Sequence, residues 1–468
     1  MNTFNKKSLY AAIAGLGALG AVGTAEAVHV NPDGLGQVLI YPYYTARTRT
    51  TGLFTGSQYN SLISVVNSTA SAKALKVRFL ESLDSREVLD FNLYLSAHDV
   101  WTTGVVPTAA GAGIVTADVS CVTPAIAKPG SPPTPFLNYQ YSGSNADGAD
   151  TSLDRTREGY VEIIEMANIV DNTATWSAVT HSKGSGGVPT CVGIAAGGTD
   201  YTTGNGGLFG SLTIINVLAT AETGTDPVAL ENWETLGSIW SATTSITPNL
   251  GSGNVLTSET FKAGAVITST WGANIDAVSA SLMHDTIMNE YVLDSGTSSG
   301  TDWVVTYPTK RFYVIGGAPG NGFPPFQHNF DGKSCDTVGI AFWDREERTP
   351  AAPPGGFSPP PPGNPPSSLC YEANIVTFNQ TNVFASPVSA NISTPYQNGW
   401  ALLDLTARTS VALPYHQMVA GANTYNGLPV IGFATATFYN GTLPPVAPST
   451  SPTQSAYGGS YKHKATNN

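Results

Sequence analysis

Residues 75–95 read LKVRFLESLDSREVLDFNLYL, and their pattern sets the fold class. Leu75, Val77 and Phe79 alternate with Lys76 and Arg78, and Leu89, Phe91, Leu93 and Leu95 alternate with Asp90, Asn92 and Tyr94. Successive side chains of a strand point to opposite faces, so a period of two marks a half-buried antiparallel strand. The pattern predicts two strands whose apolar residues meet a core and whose intervening residues meet water. Asp84-Ser85 falls in the short connection, where side chains that bond their own backbone favour a turn. With their flanks, residues 61–106 read as an Ig-like β-meander.

Working outward, the turn signal Pro32-Asp33-Gly34 precedes a strand over residues 37–44, interrupted by Pro42. Further strands are predicted over 161–169, where Glu162 and Glu165 also permit a short helix, and over 212–218, 303–307, 311–315, 338–342, 375–378, 401–405 and 430–438. Two helices are predicted. One spans 227–241, opened by Asp226-Pro227 with Leu230, Trp233, Leu236 and Trp240 at helical spacing. The other spans 276–291, with Val278, Leu282, Ile287 and Tyr291 on one flank. Residues 121–154 and 184–207 read as long Pro/Gly-rich loops. Nine prolines between Thr349 and Pro366 favour extended polyproline II, which cannot join a sheet. The expected fold is mainly β, one or more large antiparallel β-sandwiches with one or two short helices and long Pro/Gly loops.

The first 27 residues read as a secretory leader. Lys6-Lys7 precedes an uncharged apolar stretch over 9–22, and Ala25-Glu26-Ala27 supplies the small-x-small pattern cut before Val28. That stretch is shorter than the roughly 20 residues that cross a bilayer, and no later one is long enough, so no membrane span is expected. The division is 1–27 signal peptide, 28–120 N-terminal β segment, 121–442 β-rich body, separate from or continuous with 28–120, and 443–468 disordered tail. The expected location is extracellular or on the outer cell surface.

Apolar residues at 41% and aromatics at 10% supply ample core, whereas charged residues reach only 12%, about half the roughly 25% of soluble proteins. Net charge is −12, and because the leader holds one net positive charge the remainder is near −13. An acidic surface without basic clusters argues against nucleic acid and anionic lipid as partners. Cys121, Cys191, Cys335 and Cys370 include no CxxC, and an even count in an exported chain reads as two disulfides. Three pairings are possible. Neighbour pairing, Cys121 with Cys191 and Cys335 with Cys370, is expected, the second closing a loop worth about 4 kcal/mol on the chain-entropy account.

Catalytic patterns are weak. Gly296-Thr297-Ser298-Ser299-Gly300 matches GxSxG, but a strand rather than a helix follows it, against the nucleophile-elbow geometry. His284-Asp285 are neighbours that a helix would splay apart. Glu162, Glu165, Asp276, Asp285 and Glu290 form no recognisable pair of acid and base. Asp33-Gly34 and Asp331-Gly332 lack the rest of a calcium loop. Trp233, Trp240 and Trp400 are expected to pack inward, and sequons begin at Asn67, Asn379, Asn391 and Asn440. No catalytic, cofactor or metal residue is assigned.

The runs NPDGLGQVLIYPYYT (31–45), NSLISVVNSTASAKALKVRFLESLDSREVLDFNLYLSAHDVW (60–101) and TDWVVTYPTKRFYV (301–314) resemble a family of exported bacterial proteins described as hypothetical or cell-surface proteins. The resemblance covers the N-terminal third and patches over 276–315 and 398–434. It implies a secreted or envelope-associated product and carries no catalytic residues.

The expected function is a secreted or cell-surface structural or adhesion protein without catalytic activity. It would self-assemble through residues 28–45 added to a neighbour's sheet edge, or bind envelope components. The alternative is a secreted carbohydrate-binding protein or a glycoside hydrolase.

Overall fold

The computed structural model describes residues 26–51, 54–181, 187–315, 323–349, 367–407, 415–445, 447–448, 450 and 452–467. The segment expected to be a leader, except Glu26 and Ala27, and the proline-rich segment, except Thr349, lie outside the described residues. In chain order the main elements of the first half are Val38–Thr45 (β1), Tyr59–Asn67 (β2), Ala72–Glu81 (β3), Glu87–Leu95 (β4), Val100–Pro107 (β5), Ala112–Val115 (β6), Glu158–Ile169 (β7), Ala174–Val179 (α1), Leu208–Asn216 (β8), Ala221–Thr225 (β9) and Val228–Glu231 (β10). The second half continues with Asn274–Ser281 (α2), Thr286–Val292 (β11), Gly300–Thr306 (β12), Arg311–Val314 (α3), Asp336–Asp344 (β13), Ala373–Phe378 (β14), Asn398–Asp404 (β15), Ile431–Leu443 (β16) and Thr453–Lys462 (β17).

The chain is mainly β, built from stacked antiparallel sheets. Sheet 1 runs His29–Val30, β10, β1, β7, β3, β4, Cys121–Thr123, with Tyr201–Thr202 beside β7. Sheet 2 runs β9, β8, β2, β5, β6, Thr134–Pro135. Leu75, Val77, Phe79, Phe91 and Leu93 from sheet 1 meet Ile63, Val65, Trp101 and Ile214 from sheet 2 in one core. The run 61–106 thus supplies strands to both sheets, β2 and β5 to one and the β3–β4 hairpin to the other.

Sheet 3 runs Ser367–Leu369, β13, β15, β11, Lys464–Thr466, and sheet 4 runs Ala390–Ile392, β14, β12, β16, β17. Ile287, Ala401 and Leu403 of sheet 3 pack on Trp303, Val376 and Phe378 of sheet 4. The opposite face of sheet 4 contributes Val304, Ile375 and Phe433 to the first core. Hydrogen bonds stitch the halves together: Glu372 N donates to Ser82 O at the tip of the β3–β4 hairpin (3.0 Å), and Thr306 Oγ1 donates to Pro42 O (2.6 Å). Pro42 is tolerated inside the sheet because the β1–β7 register shifts there, leaving its missing N–H without a ladder partner to fail. Both expected disulfides are present, Cys121–Cys191 and Cys335–Cys370.

Several expectations are corrected. Lys76 and Arg78 do not face water: both are buried, because Trp233 and Leu250 belong to a second apolar layer over the outer face of sheet 1. Cross-strand acids neutralise them, Lys76 with Asp90, and Arg78 with Glu87 (2.8 Å) and Glu162 (2.5 Å). Residues 227–241 form no helix. Val228–Glu231 pairs with β1, Asn232 turns at φ 53°, and the Gln37 side chain accepts from Trp233 N (2.7 Å) and Glu234 N (3.0 Å). The helix expected over 276–291 is Asn274–Ser281 alone, since residues 286–292 pair with β15 and bury Ile287 and Tyr291 on alternate positions. Residues 311–314 are helical rather than extended, following the turn in which Tyr313 N donates to Lys310 O (2.9 Å). The tail expected to be disordered carries β17 and Lys464–Thr466, which pair with β16 and β11. Residues 38–45, the core of the segment expected to reach a neighbour, pair with β7 within their own chain, residues 38–40 also with β10, and are wholly buried.

A polar cleft as candidate functional site

Beyond β1 the chain reads Ala46-Arg47-Thr48-Arg49-Thr50-Thr51, and its alternation sends Arg47 and Arg49 to the same side. They form one wall of a cleft of about 700 Å³ with Asp154 and Arg157, which precede β7. The opposite wall is Thr377, at the end of β14, and the connection through Asn391. That connection holds left-handed residues at Gln380 (φ 62°) and Asn382 (φ 40°). Asparagine side chains stand in for missing backbone partners: Asn382 Oδ1 accepts from Ser386 N (2.9 Å) and Asn391 Oδ1 from Gln380 N (2.7 Å).

The guanidiniums are fixed from behind. Arg47 pairs with Asp154 and with Glu158 Oε1 (2.9 Å), and Glu158 also accepts from Tyr43 OH (2.8 Å). Burial works against the Arg47 charge, but Glu158 and Asp154 hold it protonated. Arg157 donates to Asp154 Oδ1 (2.8 Å) and Thr108 O (3.0 Å). Partial burial raises the Asp154 carboxyl, yet the two arginines bring it below the usual range. Arg49 donates to Val383 O (2.7 Å), beside Tyr59 and Tyr439. Behind this wall Asp302 is fully buried, accepts from Phe384 N (3.0 Å), and is pushed up to about 6 by burial.

The lining therefore presents three guanidiniums and one carboxylate among seven hydroxyl and three amide side chains, with no aromatic ring. Arg47 Nε is a buried donor with no acceptor among the described residues. Such a surface can hold an anionic, hydroxyl-rich ligand by charge-assisted and neutral hydrogen bonds.

The sequence candidates lie elsewhere. Ser298 sits at φ 48° in the connection from β11 to β12, so a strand does follow the GxSxG match. His284 bonds Asn467 Oδ1 (2.8 Å), and Asp285 takes the Thr466 hydroxyl. Glu162 and Glu165 face opposite sides of β7 and serve Arg78 and Lys73 respectively. Asp276 accepts from Tyr313 OH (2.8 Å), and Glu290 is exposed on β11 opposite Trp400. Asp33 and Asp331 lie apart, the latter beside the Gly148 turn. Trp233 is core and Trp240 is half-buried, but Trp400 is 38% exposed and stacks on Trp343 at 4.1 Å. Of the sequons, Asn67 is buried, Asn440 is exposed, and Asn379 and Asn391 brace the cleft connection.

A second surface stands out on the outer face of sheet 2. Phe209, Val66 and Val100 line up in one cross-strand row, and Thr213, Leu62 and Gly104 in another. Between them lie Ser211, Ser64 and Thr102, and none of these outward positions carries a charge. Comparison of the chain with protein-family models, curated proteins and solved structures gives no match.

Proposed function

We propose that the protein is an exported, non-catalytic surface protein of the adhesion class, holding an acidic, hydroxyl-rich glycan in the polar cleft. The observation that carries this reading is the lining itself: three arginines of a strongly acidic chain converge on a wall of hydroxyls and amides. Arginine forks match carboxylates, and threonine, serine and asparagine match sugar hydroxyls. The leader and the resemblance to exported proteins support a place outside the cell, and the two disulfides suit an oxidising compartment.

The test is calorimetry of the purified protein with polygalacturonate, with neutral dextran and with inorganic phosphate. Binding of the acidic polymer alone, weakened by salt and without released sugar, supports the reading. Reducing sugar released on incubation, or no binding to the acidic polymer, overturns it.

A second reading, self-association as extracellular material, rests on the apolar rows of β8, β2 and β5 on the outer face of sheet 2. Copies of a chain with net charge −12 repel one another, and rows without charge are where that repulsion is weakest. Light scattering across a concentration series, on wild type and Phe209→Glu, tests it. A monomer throughout in both would end it.

A further inference from the structure

Lys310 and Asp336 meet deep in the second half of the molecule, one just before α3 and the other at the start of β13. Lys310 Nζ lies 2.8 Å from Asp336 Oδ2, with the two side chains 1% and 0% exposed. Aromatic rings wall the amine, Tyr307 at 5.5 Å and Phe326 at 5.4 Å from Nζ. The other carboxyl oxygen is pinned: Asp336 Oδ1 accepts from Gln327 N at 2.9 Å and faces His416 Nε2 at 3.5 Å. The amine therefore stands against one carboxyl oxygen while the rest of the carboxyl is held still.

Glu372 adjoins Tyr307, the residue whose ring walls the amine: Tyr307 N donates to the Glu372 carbonyl at 2.7 Å. Glu372 is 1% exposed, and its carboxyl lies near the Ser85 hydroxyl without closing a well-aligned hydrogen bond among the described residues. Burial drives its carboxyl well above the usual range, and the Lys310 charge is the largest influence opposing that rise. A buried acid whose charge is felt by a buried amine is placed to move protons.

We propose that Lys310 and Asp336 condense into an intramolecular isopeptide bond, with Glu372 carrying the proton. A proton first passes from the Lys310 ammonium to Asp336 Oδ2 across their contact. The amine lone pair then attacks Asp336 Cγ, forming the C–N bond. The Cγ–Oδ2 bond breaks, and Oδ2 leaves as water with the proton it received and a second from Glu372. Glu372 recovers its proton from Nζ, which keeps one hydrogen as an amide. The reaction needs no oxidant, reductant or external group, and it replaces two desolvated charges with one neutral amide and a released water.

The contrast with Lys73 sharpens the assignment. That amine donates to Glu165 Oε1, Asn168 Oδ1 and Asn205 Oδ1, a full set of three side-chain acceptors. Lys310 has Asp336, the Ser334 carbonyl (2.5 Å) and two ring faces. The cross-link would tie the turn before α3 to β13 beside Cys335–Cys370, and reductant would not open it.

The test is mass spectrometry of the full-length exported protein, reduced and denatured, followed by peptide mapping. The expected result is a chain one water lighter than its sequence, with a branched peptide joining the segments that contain Lys310 and Asp336. Lys310→Arg and Glu372→Gln are expected at full mass. Wild-type protein at full mass overturns the proposal whatever the variants do, as does a water loss mapped to another site. A bond that still forms in a folded Glu372→Gln protein overturns the role given to Glu372.

Discussion

The Arg155 guanidinium donates to Asp84 Oδ1 at 2.5 Å with the two side chains 1% and 0% exposed. The same guanidinium reaches Glu81 (2.7 Å) and Asp147 (2.8 Å) and lies over the Tyr141 ring at 4.2 Å. With Arg86, which pairs with Asp84 at 2.9 Å, Arg155 thus offsets three carboxyl groups at the tip of the β3–β4 hairpin, where the two halves of the molecule join. Removing one partner of a buried ion pair costs about 3–5 kcal/mol, because the remaining charge is left without compensation. Arg155→Ala is expected to lose at least that much in urea unfolding. Arg155→Lys should recover only part, since an ammonium cannot reproduce the fork.

Buried acids with raised pKa values, Asp84 and Asp302 among them, lower stability as pH rises. Burial and the neighbouring Glu81 push Asp84 up to about 8, and burial pushes Asp302 up to about 6. An acid whose folded pKa is raised binds its proton more tightly in the native state, so its contribution is complete below pH ~4 and is lost as pH rises through the folded value. Stability should therefore fall between about pH 4 and 8 from these groups. Asp302→Asn, which imitates the protonated acid, should flatten the lower part of that fall and gain up to roughly 3 kcal/mol at pH 7. Denaturant melts at stepped pH check this. A slope unchanged in Asp302→Asn would refute it.

The alternation in residues 75–95 located two strands and the side that meets the core, because those depend only on neighbours in sequence. It could not say what roofs the other side. Lys76 and Arg78 are buried by residues around Trp233 and Leu250, more than 150 positions away. Residues 227–241 have helical spacing, but Gln37 satisfies their backbone from almost 200 positions earlier. The tail reads as disordered from its Ser, Thr and Pro, yet β17 forms because β16 offers it a ladder. The cleft was not legible: the chain reads as acidic without basic clusters, and Arg47 and Arg49 meet Arg157 and the connection through Asn391 only on folding.

Both disulfides close long loops, with sequence separations of 70 and 35 residues. Loop-closure entropy grows only as the logarithm of length, so each should be worth about 4 kcal/mol. The paired variants Cys121→Ser with Cys191→Ser, and Cys335→Ser with Cys370→Ser, are expected to lose similar amounts. Unfolding curves with and without reductant measure this. A loss near zero for either pair would refute the chain-entropy account for that loop.

Gly159 offers a sharper test of the packing. A Cβ built there would lie 1.9 Å from the Leu80 carbonyl oxygen, a backbone atom that cannot turn aside. It sits where β7 is paired with both β1 and β3, next to the register shift at Pro42. Gly159→Ala should therefore cost about 3 kcal/mol, at the upper end of overpacking, by forcing the strands apart. A thermal midpoint matching wild type would show that the sheet yields there.

The cleft arginines should separate binding from folding. Arg47 compensates Glu158, whose side chain is 1% exposed, so Arg47→Ala leaves a buried carboxylate facing only Tyr43 and Ser386. That variant is expected to lose about 3 kcal/mol or more of stability. Arg157 pairs with Asp154, whose side chain is 53% exposed, and water can take over when the partner goes. Arg157→Ala should therefore cost under about 1 kcal/mol in unfolding. If the cleft holds an acidic glycan, the same variant should weaken binding by about tenfold and reduce its salt dependence, since one charge-assisted contact is worth about 1.5–3 kcal/mol. Urea melts beside calorimetry with polygalacturonate give both numbers. Equal affinity in wild type and Arg157→Ala, with folding intact, would move the ligand away from this cleft.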